Sequence, residues 1–316
     1  VDKLFFTGST RVGKKLMAKA SENLVPLVLE LGGADAAIVC ADADLDRAVR
    51  GLVWAGYANA GQSCGGVQRI LIHEDVYPNF IKKMSLAIKA LQIGDPLDHK
   101  TDIGAMNSIR QKKAVIEQLD ECIKSGLRIE AQSDGGNLSL EDPYMPAILL
   151  TGNGPQAPIL TDEVFGPILV AQAYTTIEDA IKEANNSPYG LTGSVWSKNT
   201  SKAKKIALQI QAGAITINDH LMSHGLAETP WGGYKNSGLG RSHGELGFME
   251  MLIQKVIVTD CMPYVQRNIF WHPYSENLFK GLKNLIYFLQ GPELWKKIKA
   301  IPSVLRLFVR YWDRKN

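Results

Sequence analysis

The segments LFFTG (4–8), STRVGKKLMAKAS (9–21) and VPLVLELGG (25–33) decide the fold class. Two nearly continuous apolar runs of strand length flank one amphipathic segment of helix length. Apolar strands joined through a helix are typical of a βαβ unit in a parallel sheet that is buried on both faces. Because the sequence begins almost inside the first strand, we expect the first domain to start upstream of Val1.

The alternation of strand-like and helix-like segments continues to about residue 260. We predict an α/β fold with a largely parallel sheet, and a capping box in which Thr176 and Asp179 begin one of the helices. The predicted strands are AAIVC (36–40), RILIH (69–73), AILLT (147–151), PILVAQAY (167–174), AITIN (214–218) and KVIVT (255–259). The predicted helices are 44–58, 76–91, 107–124, 177–185 and 200–211.

Composition excludes several classes of protein. The 316 residues are 45% apolar and 21% charged, which is ordinary for globular chains and excludes wholesale disorder or a coiled coil. The length favours two domains of about 150 residues. The net charge of +3 indicates no nucleic-acid partner, and no apolar run is long enough to predict a transmembrane helix. Four cysteines without CxxC pairing predict neither a disulfide nor a zinc framework, so we expect a reducing, cytoplasmic compartment.

A cysteine in a glycine-rich loop is the first candidate for chemistry. Cys64 lies in GYANAGQSCGGVQR, after a helical stretch and before the predicted strand RILIH. The neighbouring glycines let the backbone approach a ligand and leave the thiol uncrowded. A thiolate exposed in such a loop is a nucleophile. The alternative is a cysteine packed in the core.

Two further features of the opening segment could serve a ligand. Glu30 ends an apolar strand, and burial of its carboxylate would raise its pKa toward the range of a general base. The alternative is a glutamate at a strand end that reaches water. The turn GSTRVG (8–13) joins a strand to a helix, where backbone N–H groups could bind a phosphate. It could equally be a plain turn.

Two loops complete the candidates. In DEVFGPI (162–168), Glu163 could accept hydrogen bonds from sugar hydroxyls while Phe165 packs on a flat ring, or the segment could be an acidic surface loop. The polar run INDHLMSHGLAETPWGGYKNSGLGR (217–241) is longer than most connections and is a candidate binding loop. Its two histidines are four residues apart, but the sequence offers no further ligands, so we predict no metal site.

Taken together, these motifs resemble the aldehyde dehydrogenase superfamily of the NAD(P)-dependent, hydrolytic type. The resemblance covers about residues 1–260. It rests on FTGSTRVG (6–13), LELGG (29–33), GQSC (61–64) with Arg69 behind it, DEVFGPI, and Asn218 followed by PWGGYKNSGLGR (230–241). It implies a partial Rossmann-type cofactor domain at 1–33, an α/β catalytic domain at 34–252, an oligomerisation strand at 253–261 and a C-terminal helical extension at 262–316.

The resemblance also implies roles for particular residues. Cys64 would attack an aldehyde to give a thiohemiacetal and then, by hydride transfer to NAD or NADP, a thioester. Glu30 would activate the water that hydrolyses the thioester, and the Cys64 N–H would supply half of an oxyanion hole. The remaining positions are Gly8, Ser9, Leu31, Glu163 and Phe165 for the cofactor, Ser63 and Trp231 for the substrate tunnel, and Asn218 for structure.

The departures from the family pattern leave alternatives open. The oxyanion-hole asparagine and the adenosine-ribose lysine have no counterpart here, so we expect a truncated record of a longer enzyme. Cofactor preference and the particular aldehyde stay open, whereas Glu30 favours water over coenzyme A as the acyl acceptor. The resemblance implies a homo-oligomer, a dimer or tetramer. The alternatives are a non-catalytic subunit or scaffold and a cofactor-independent thiol esterase.

Residues 262–316 differ in composition from the rest of the chain. They hold ten Lys or Arg against three acids and eleven of the 25 aromatic residues. The segments SENLFKGLKNLIYFL (275–289) and PSVLRLFVRYW (302–312) place apolar residues on one helical face and cations on the other. Such helices often lie at membrane surfaces, but this one could also cap the substrate tunnel, cover a neighbouring subunit or pack on the body. Members of the resembled family that oxidise fatty aldehydes carry C-terminal gatekeeper or anchoring helices, so the resemblance implies a lipophilic aldehyde.

Overall fold

The computed structural model describes residues 1–262, 264–265 and 268–309, which divide into two units, Val1–Ile253 and Gln254–Asn316. The strands are β1 (Leu4–Thr7), β2 (Leu27–Glu30), β3 (Asp35–Val39), β4 (Val67–His73), β5 (Leu127–Gln132), β6 (Ile148–Gly152), β7 (Ile168–Tyr174), β8 (Tyr189–Gly190), β9 (Thr192–Trp196), β10 (Ala214–Ile217), β11 (Tyr234–Lys235) and β12 (Gly238–Leu239). The helices are α1 (Thr10–Ser21), α2 (Leu45–Tyr57), α3 (Tyr77–Lys89), α4 (Ile109–Lys124), α5 (Ile177–Asn185), α6 (Thr200–Ala207), α7 (Met222–Gly225), α8 (Gly244–Met249), α9 (Glu276–Gln290) and α10 (Leu294–Val309).

A seven-stranded sheet in the order β10-β9-β3-β4-β7-β6-β5 forms the centre of the first unit. Its strands are parallel except β5, which pairs antiparallel with β6 at one edge. The predicted α/β fold is therefore confirmed. The sequence analysis missed β5 and β9. In β9, TGSVW carries glycine and hydroxyl side chains that look like a loop, yet all five residues are buried between β3 and β10.

Helices cover both faces of this sheet. The larger apolar core lies under α2, α3 and α4, and a smaller one lies under α5 and α6. Four of these helices begin at a side chain that accepts a backbone N–H, as N-cap residues do: Asp44, Ser108, Thr176 and Asn199. The hydroxyl of Thr176 accepts the N–H of Asp179 at 3.2 Å, so that predicted helix start is present.

A small second sheet holds the segment that decided the fold class. Strands β1 and β2 pair in parallel with α1 between them, as the sequence predicts, and β12 adds antiparallel to β2. Gly238 makes this close pairing with β2 feasible, because a Cβ there would lie 1.9 Å from the carbonyl oxygen of Leu29. The pairing brings the polar loop 217–241 beside Glu30, at the end of β2.

The segment 255–259 differs from the prediction, because it lies in no strand of the described chain. A β-ladder requires a hydrogen-bonding partner, and the apolar side chains here face outward: Val256, Ile257 and Val258 are at least 80% exposed. The structure therefore gives an unpaired apolar segment where the sequence predicts a strand. The assignment of residues 253–261 to oligomerisation stays a prediction.

The second unit contains the predicted C-terminal helices. Helices α9 and α10 pack through Leu278, Leu307 and Ile269, and Gly281 lets α10 approach because a Cβ there would meet the side chain of Leu307 at 2.4 Å. Across the described residues, no helix is long and apolar enough to cross a bilayer. The last residues of the predicted segment, 310–312, lie outside the described residues.

Candidate active site

A cleft of about 1040 Å³ opens between the small sheet, the Cys64 loop and α4. It contains most of the residues that the sequence analysis selected, although they are separated by up to 157 positions in the chain. The predicted residues that line it are Gly8, Ser9, Glu30, Leu31, Ser63, Cys64, Glu163 and Phe165.

The loop that carries Cys64 starts with an unusual turn. After α2 the three residues Asn59, Ala60 and Gly61 all have left-handed φ values of 54°, 55° and 68°. Such conformations are costly for non-glycine residues and persist where the surroundings enforce them. The backbone of Gly61 lies against Gly166, where a Cβ would come within 2.2 Å of the carbonyl oxygen. The turn thus directs the chain from α2 into the cleft at Cys64.

The Cys64 thiol is not activated by its surroundings in this structure. Burial raises its pKa to about 11, and the carboxylates of Asp35, Glu163 and Glu30 add to the rise, while the Gly65 N–H favours the thiolate. At neutral pH the thiol form therefore dominates. A proton acceptor must take the thiol proton before the sulfur can act as a nucleophile. The nearby carboxylates are candidates for that acceptor.

Glu30 is held at the end of β2, 5% exposed. Its Oε1 accepts a hydrogen bond from the Ser242 hydroxyl at 2.9 Å, while its Oε2 is buried and has no hydrogen-bond partner among the described residues. Burial raises the pKa of the carboxyl, and Ser242, Arg241 and Trp231 partly offset the rise. A buried carboxylate oxygen without a partner is poised to accept a proton from a water or thiol in the cleft.

Glu163 reaches into the cleft across the glycine pair that follows Glu30. Its Oε1 accepts the Gly33 N–H at 3.4 Å, and a Cβ on Gly32 would lie 2.2 Å from its Oε2. Burial raises the pKa of Glu163 to about 7, and the hydrogen bond from Gly33 lowers it only in part. The absence of a side chain at Gly32 thus creates the space for this carboxylate.

Helix α4 positions the segment around Glu163 and Phe165. Phe165 has a left-handed φ of 49°, and its carbonyl oxygen accepts from the Gln111 amide at 3.2 Å. Two helical turns further along the same face, Gln118 donates to the Glu163 carbonyl oxygen, also at 3.2 Å. The sequence analysis did not select either glutamine. In the sequence these glutamines stand near other polar residues of α4, such as Glu117 and Glu121. That pattern is the ordinary one for the solvent-exposed face of a helix, so nothing in it indicates a function.

The turn at Gly8 and Ser9 lies at the start of α1. Gly8 donates its N–H to the Glu30 carbonyl oxygen at 3.0 Å, which ties the turn to β2. Ser9 occupies the N-cap position without a side-chain cap, and α1 has no acid in its first turn. The helix end with its free N–H groups therefore faces the cleft as an electropositive site. Leu31 packs beneath it against Gly13.

Two predicted residues lie away from the cleft lining. Trp231 is buried, with its ring edge-on to His224 at 4.9 Å between ring centres, and a Cβ on Gly65 would lie 2.9 Å from the indole ring. Its predicted role as a tunnel wall stays a prediction. Asn218 exchanges two hydrogen bonds of 2.9 Å with the backbone of Ser197 and so joins the ends of β9 and β10. The structural role that the resemblance implies for Asn218 stays a prediction.

The sequence analysis missed a group of buried polar residues behind Cys64. Asp35, Thr192 and His220 are each at most 5% exposed and are joined by hydrogen bonds. Arg69, noted only as a motif position, is 1% exposed and donates to three backbone carbonyls. The sequence offered one signal for this group: Asp35 stands at the start of an apolar strand. A buried acid requires hydrogen-bond partners, so polar residues near it could have been expected.

Comparison with known proteins gives the family. The family model "Aldehyde dehydrogenase family" matches residues 1–257. Betaine aldehyde dehydrogenase of Bacillus subtilis is 34% identical over 270 residues, which cover 83% of this chain and 54% of that enzyme. The 4,4'-diapolycopene aldehyde oxidase of a Methylomonas species is 32% identical over 292 residues, or 92% of this chain and 54% of that enzyme. The crystal structure of a Staphylococcus aureus betaine aldehyde dehydrogenase in complex with NAD+ aligns with a TM-score of 0.76 at 32% identity, covering 80% of this chain and 50% of that one.

The chain belongs to the aldehyde dehydrogenase family. It spans about half the length of the curated relatives it matches. Within the described residues, no group of three or more His, Cys, Asp or Glu side chains is arranged to hold a metal ion.

Proposed function

We propose that this chain carries the thiol chemistry of an NAD(P)-dependent aldehyde dehydrogenase, which oxidises an aldehyde to a carboxylic acid. The observation that carries the proposal is the convergence of Cys64, Glu30 and Glu163 on one cleft. Membership of the family supports an enzyme over the alternative of a non-catalytic scaffold.

Cys64 acts as the nucleophile. Loss of its proton to a neighbouring carboxylate lets the sulfur attack the aldehyde carbon and form a thiohemiacetal. Since the thiol pKa is about 11, this proton transfer is required at neutral pH. NAD or NADP, when bound, accepts the hydride whose loss converts the thiohemiacetal into a thioester.

Glu30 serves the second half of the reaction. Its unpartnered Oε2 accepts a proton from the water that attacks the thioester carbonyl, which releases the acid and restores the thiol. The raised pKa of the carboxyl brings its basicity closer to that needed near neutral pH. Ser242 keeps the other oxygen occupied and fixes the orientation of the carboxylate.

The cleft fits a dinucleotide at two points. The electropositive end of α1 beside Gly8 and Ser9 suits a pyrophosphate. The Glu163 carboxylate, in its space over Gly32, can accept hydrogen bonds from ribose hydroxyls. Phe165 at the same wall can pack against a flat ring.

The experiment is aldehyde-dependent formation of NADH or NADPH, followed by absorbance at 340 nm with short and long aldehydes. Cys64→Ala should abolish it, whereas Cys261→Ala, at an exposed cysteine, should not change it. Glu30→Gln should keep the first-turnover burst and lower the steady-state rate by about 10²–10⁴-fold. Activity that persists in Cys64→Ala would refute the nucleophile. A flat trace from folded protein would show that residues 1–316 are not by themselves a catalyst.

The alignment with the 4,4'-diapolycopene aldehyde oxidase supports a lipophilic aldehyde as the substrate class. This alignment covers 92% of the chain. Even if it starts at Val1 it extends through most of α9, well beyond residue 257, where the match to the family model ends. That relative is named for 4,4'-diapolycopene aldehyde. Part of the tail thus aligns with that enzyme, which supports an apolar aldehyde for this chain. Rates that do not rise with aldehyde chain length would contradict the proposal.

The second unit offers a surface for lipid. On α10 the side chains of Leu294, Ile298, Ile301 and Leu305 form one stripe at helical spacing, and each is at least 38% exposed. We propose that this stripe contacts an anionic membrane surface, because the tail around it is strongly basic. Leu305→Glu should reduce sedimentation with phosphatidylserine vesicles. Leu86→Glu, at an exposed leucine of α3, should not. Equal sedimentation of both variants would refute the contact.

The unpaired segment 253–261 supports an oligomer. We propose that it adds to a sheet edge of a second copy, since its exposed apolar side chains and free backbone suit such an addition. Val256→Pro and Ile257→Asp together should shift the molar mass in solution, measured by light scattering, toward the monomer. An unchanged mass would contradict the proposal.

A further inference from the structure

A buried glutamine joins the strand that follows the Cys64 loop to the segment that carries Glu163. Gln68 is the second residue of β4 and is 6% exposed. Its neighbour Arg69 donates its hydrogen bonds on one face of the sheet. Because successive side chains of a strand point to opposite faces, Gln68 extends from the other face. There it meets residues 159–164, and none of the steps proposed above uses it.

The side-chain amide of Gln68 uses both of its hydrogens and its oxygen on this segment. Its Nε2 donates to the carbonyl oxygens of Ile159 and Asp162, both at 2.7 Å. Its Oε1 accepts the N–H of Val164 at 2.9 Å. The opposite orientation of the amide would place the oxygen against two carbonyl oxygens and the NH₂ group against an N–H. The three partners therefore assign the orientation of the amide.

Two of these partners lie on either side of Glu163. The Asp162 carbonyl belongs to the peptide unit before the Cα of Glu163, and the Val164 N–H belongs to the peptide unit after it. Each unit is planar and does not rotate internally, so only φ and ψ of Glu163 relate one unit to the other. A single amide that binds both units therefore fixes the direction in which the Glu163 side chain leaves the backbone.

Helix α4 supports only one of these two peptide units. Gln118 donates to the Glu163 carbonyl oxygen at 3.2 Å, and that oxygen lies on the same unit as the Val164 N–H. Within the described residues, no other group donates to the Asp162 carbonyl oxygen. The cavity between the start of β4 and Glu163 is only about 10 Å³, the lower limit for one water molecule. The segment therefore has no room to move toward β4.

The direction fixed in this way brings Glu163 into the cleft. Its carboxylate occupies the space over Gly32, where a Cβ would lie 2.2 Å from Oε2. The one hydrogen bond to its side chain, from the Gly33 N–H to Oε1, is 3.4 Å long and therefore weak. The position of the carboxylate thus depends mainly on the backbone that carries it.

We propose that Gln68 is a positioning residue that fixes the peptide units on both sides of Glu163 and so directs its carboxylate over Gly32 to the ribose of a bound dinucleotide. The inference rests on the proposed role of Glu163 in cofactor binding. It gives the start of β4 two tasks, because the strand that leaves the Cys64 loop also supports the wall of the cofactor site.

The first test needs no cofactor. Burial holds the pKa of Glu163 at about 7, and a carboxylate that leaves its place over Gly32 becomes solvated. Carbon NMR of the full chain, labelled at the glutamate carboxyl carbons, follows this titration, and Glu163→Ala assigns the signal. Gln68→Met, which fills the same space without an amide, should lower the pKa of Glu163 from about 7 to below about 6. The matched control is Gln209→Met, at an exposed glutamine, and it should equal the wild type.

The second test connects this position to the cofactor. NAD is titrated into the full chain and binding is followed by protein fluorescence. Gln68→Met should weaken NAD binding about tenfold, as the loss of one hydrogen bond to a charged group does. In a Glu163→Ala background the same substitution should have no further effect, because Gln68 acts through that carboxylate. A merely structural glutamine would weaken binding equally in both backgrounds.

An unchanged pKa of Glu163 in folded Gln68→Met would overturn the proposal, and so would losses of NAD affinity that add. If Gln68→Met does not fold, hydrogen exchange of the Val164 amide in the unaltered chain decides: slow exchange supports the bond to Gln68, and free exchange overturns it. NAD binding that Glu163→Ala does not weaken would refute the proposed cofactor role of Glu163. The titration of Glu163 would still judge the positioning by Gln68, so the two failures are distinguishable.

Discussion

Replacement of Arg69 tests how β4, which follows the Cys64 loop, is fixed to the residue after the glycine pair Gly32–Gly33 and to the end of α5. The guanidinium on β4 is 1% exposed and donates to the carbonyls of Ala34 at 3.0 Å, Glu183 at 2.8 Å and Ala184 at 3.0 Å. Two of these acceptors belong to the last turn of α5, where carbonyls have no partner within the helix. Arg69→Met would remove the donor from the Ala34 and Ala184 carbonyls and would remove a buried charge, whereas the Glu183 carbonyl would keep the Asn186 N–H at 3.1 Å.

The expected loss follows from those three contacts. Each buried carbonyl left without a donor costs about 1–3 kcal/mol, and relief from burying the guanidinium offsets part of the sum. Because the Glu183 carbonyl keeps a second donor, two carbonyls enter the sum, and we expect Arg69→Met to lower the free energy of unfolding by about 2–4 kcal/mol. Arg69→Lys should lose less, because an ammonium can still donate to some of the carbonyls. Asp35 would lose a cation that lowers its pKa, so its pKa should rise above the present value of about 7.

The assay is urea denaturation at pH 7, followed by circular dichroism and by tryptophan fluorescence. Arg128→Met is the matched control: this arginine is exposed, its nearest carboxylate is 3.7 Å away, and its loss should cost less than about 0.5 kcal/mol. If Arg69→Met lies within about 1 kcal/mol of the wild type, the three hydrogen bonds do not hold this site together and the reasoning fails.

Three further predictions concern the cleft. Burial raises the pKa of Glu163 from 4.5 to about 7, so the stability contributed by this carboxyl is present below pH 4.5 and is lost as pH rises to 7. Glu163→Gln should therefore have a higher melting temperature than the wild type at pH 8 and a similar one at pH 4. Gly32→Ala would place a Cβ 2.2 Å from the flexible end of Glu163, so titration by fluorescence should show weaker NAD(P) binding with a nearly unchanged melting temperature; wild-type affinity would contradict this account. Burial lowers the pKa of His220 from 6.5 to about 4, so the stability contributed by the neutral imidazole is lost as pH falls through that range. His220→Gln should therefore show a smaller decrease in melting temperature between pH 6.5 and pH 4 than the wild type. An identical profile would count against a neutral buried imidazole.

Much of the first unit could be predicted from sequence because its strands and helices differ in apolar periodicity. The βαβ unit at the start of the chain and the alternation to residue 218 follow from that pattern alone. The prediction failed where periodicity carries no information. In β9, small and hydroxyl residues are buried because two neighbouring strands supply the partners, and residues 255–259 have strand composition but no partner within the described chain.

The motifs selected Cys64, Glu30 and Glu163 because each residue type carries its chemistry in its own side chain. What the sequence could not give is how these side chains are held, since that depends on contacts between distant segments. Gly32 provides space for a residue 131 positions away, as a Cβ built on it shows. Gln118 acquires its function only because α4 lies against the loop at Glu163.

The sequence by itself determined the class of fold, the family and the candidates for the reactive groups, because these follow from local periodicity, from motifs and from side-chain chemistry. Only the tertiary structure decided that burial raises the pKa of the Cys64 thiol, that one oxygen of Glu30 has no hydrogen-bond partner among the described residues, and that His220 lies within hydrogen-bond distance of the Gly65 carbonyl oxygen. The physical reason is that a pKa and a hydrogen bond depend on burial and distance. Both are set by strands that pair across more than a hundred residues of chain.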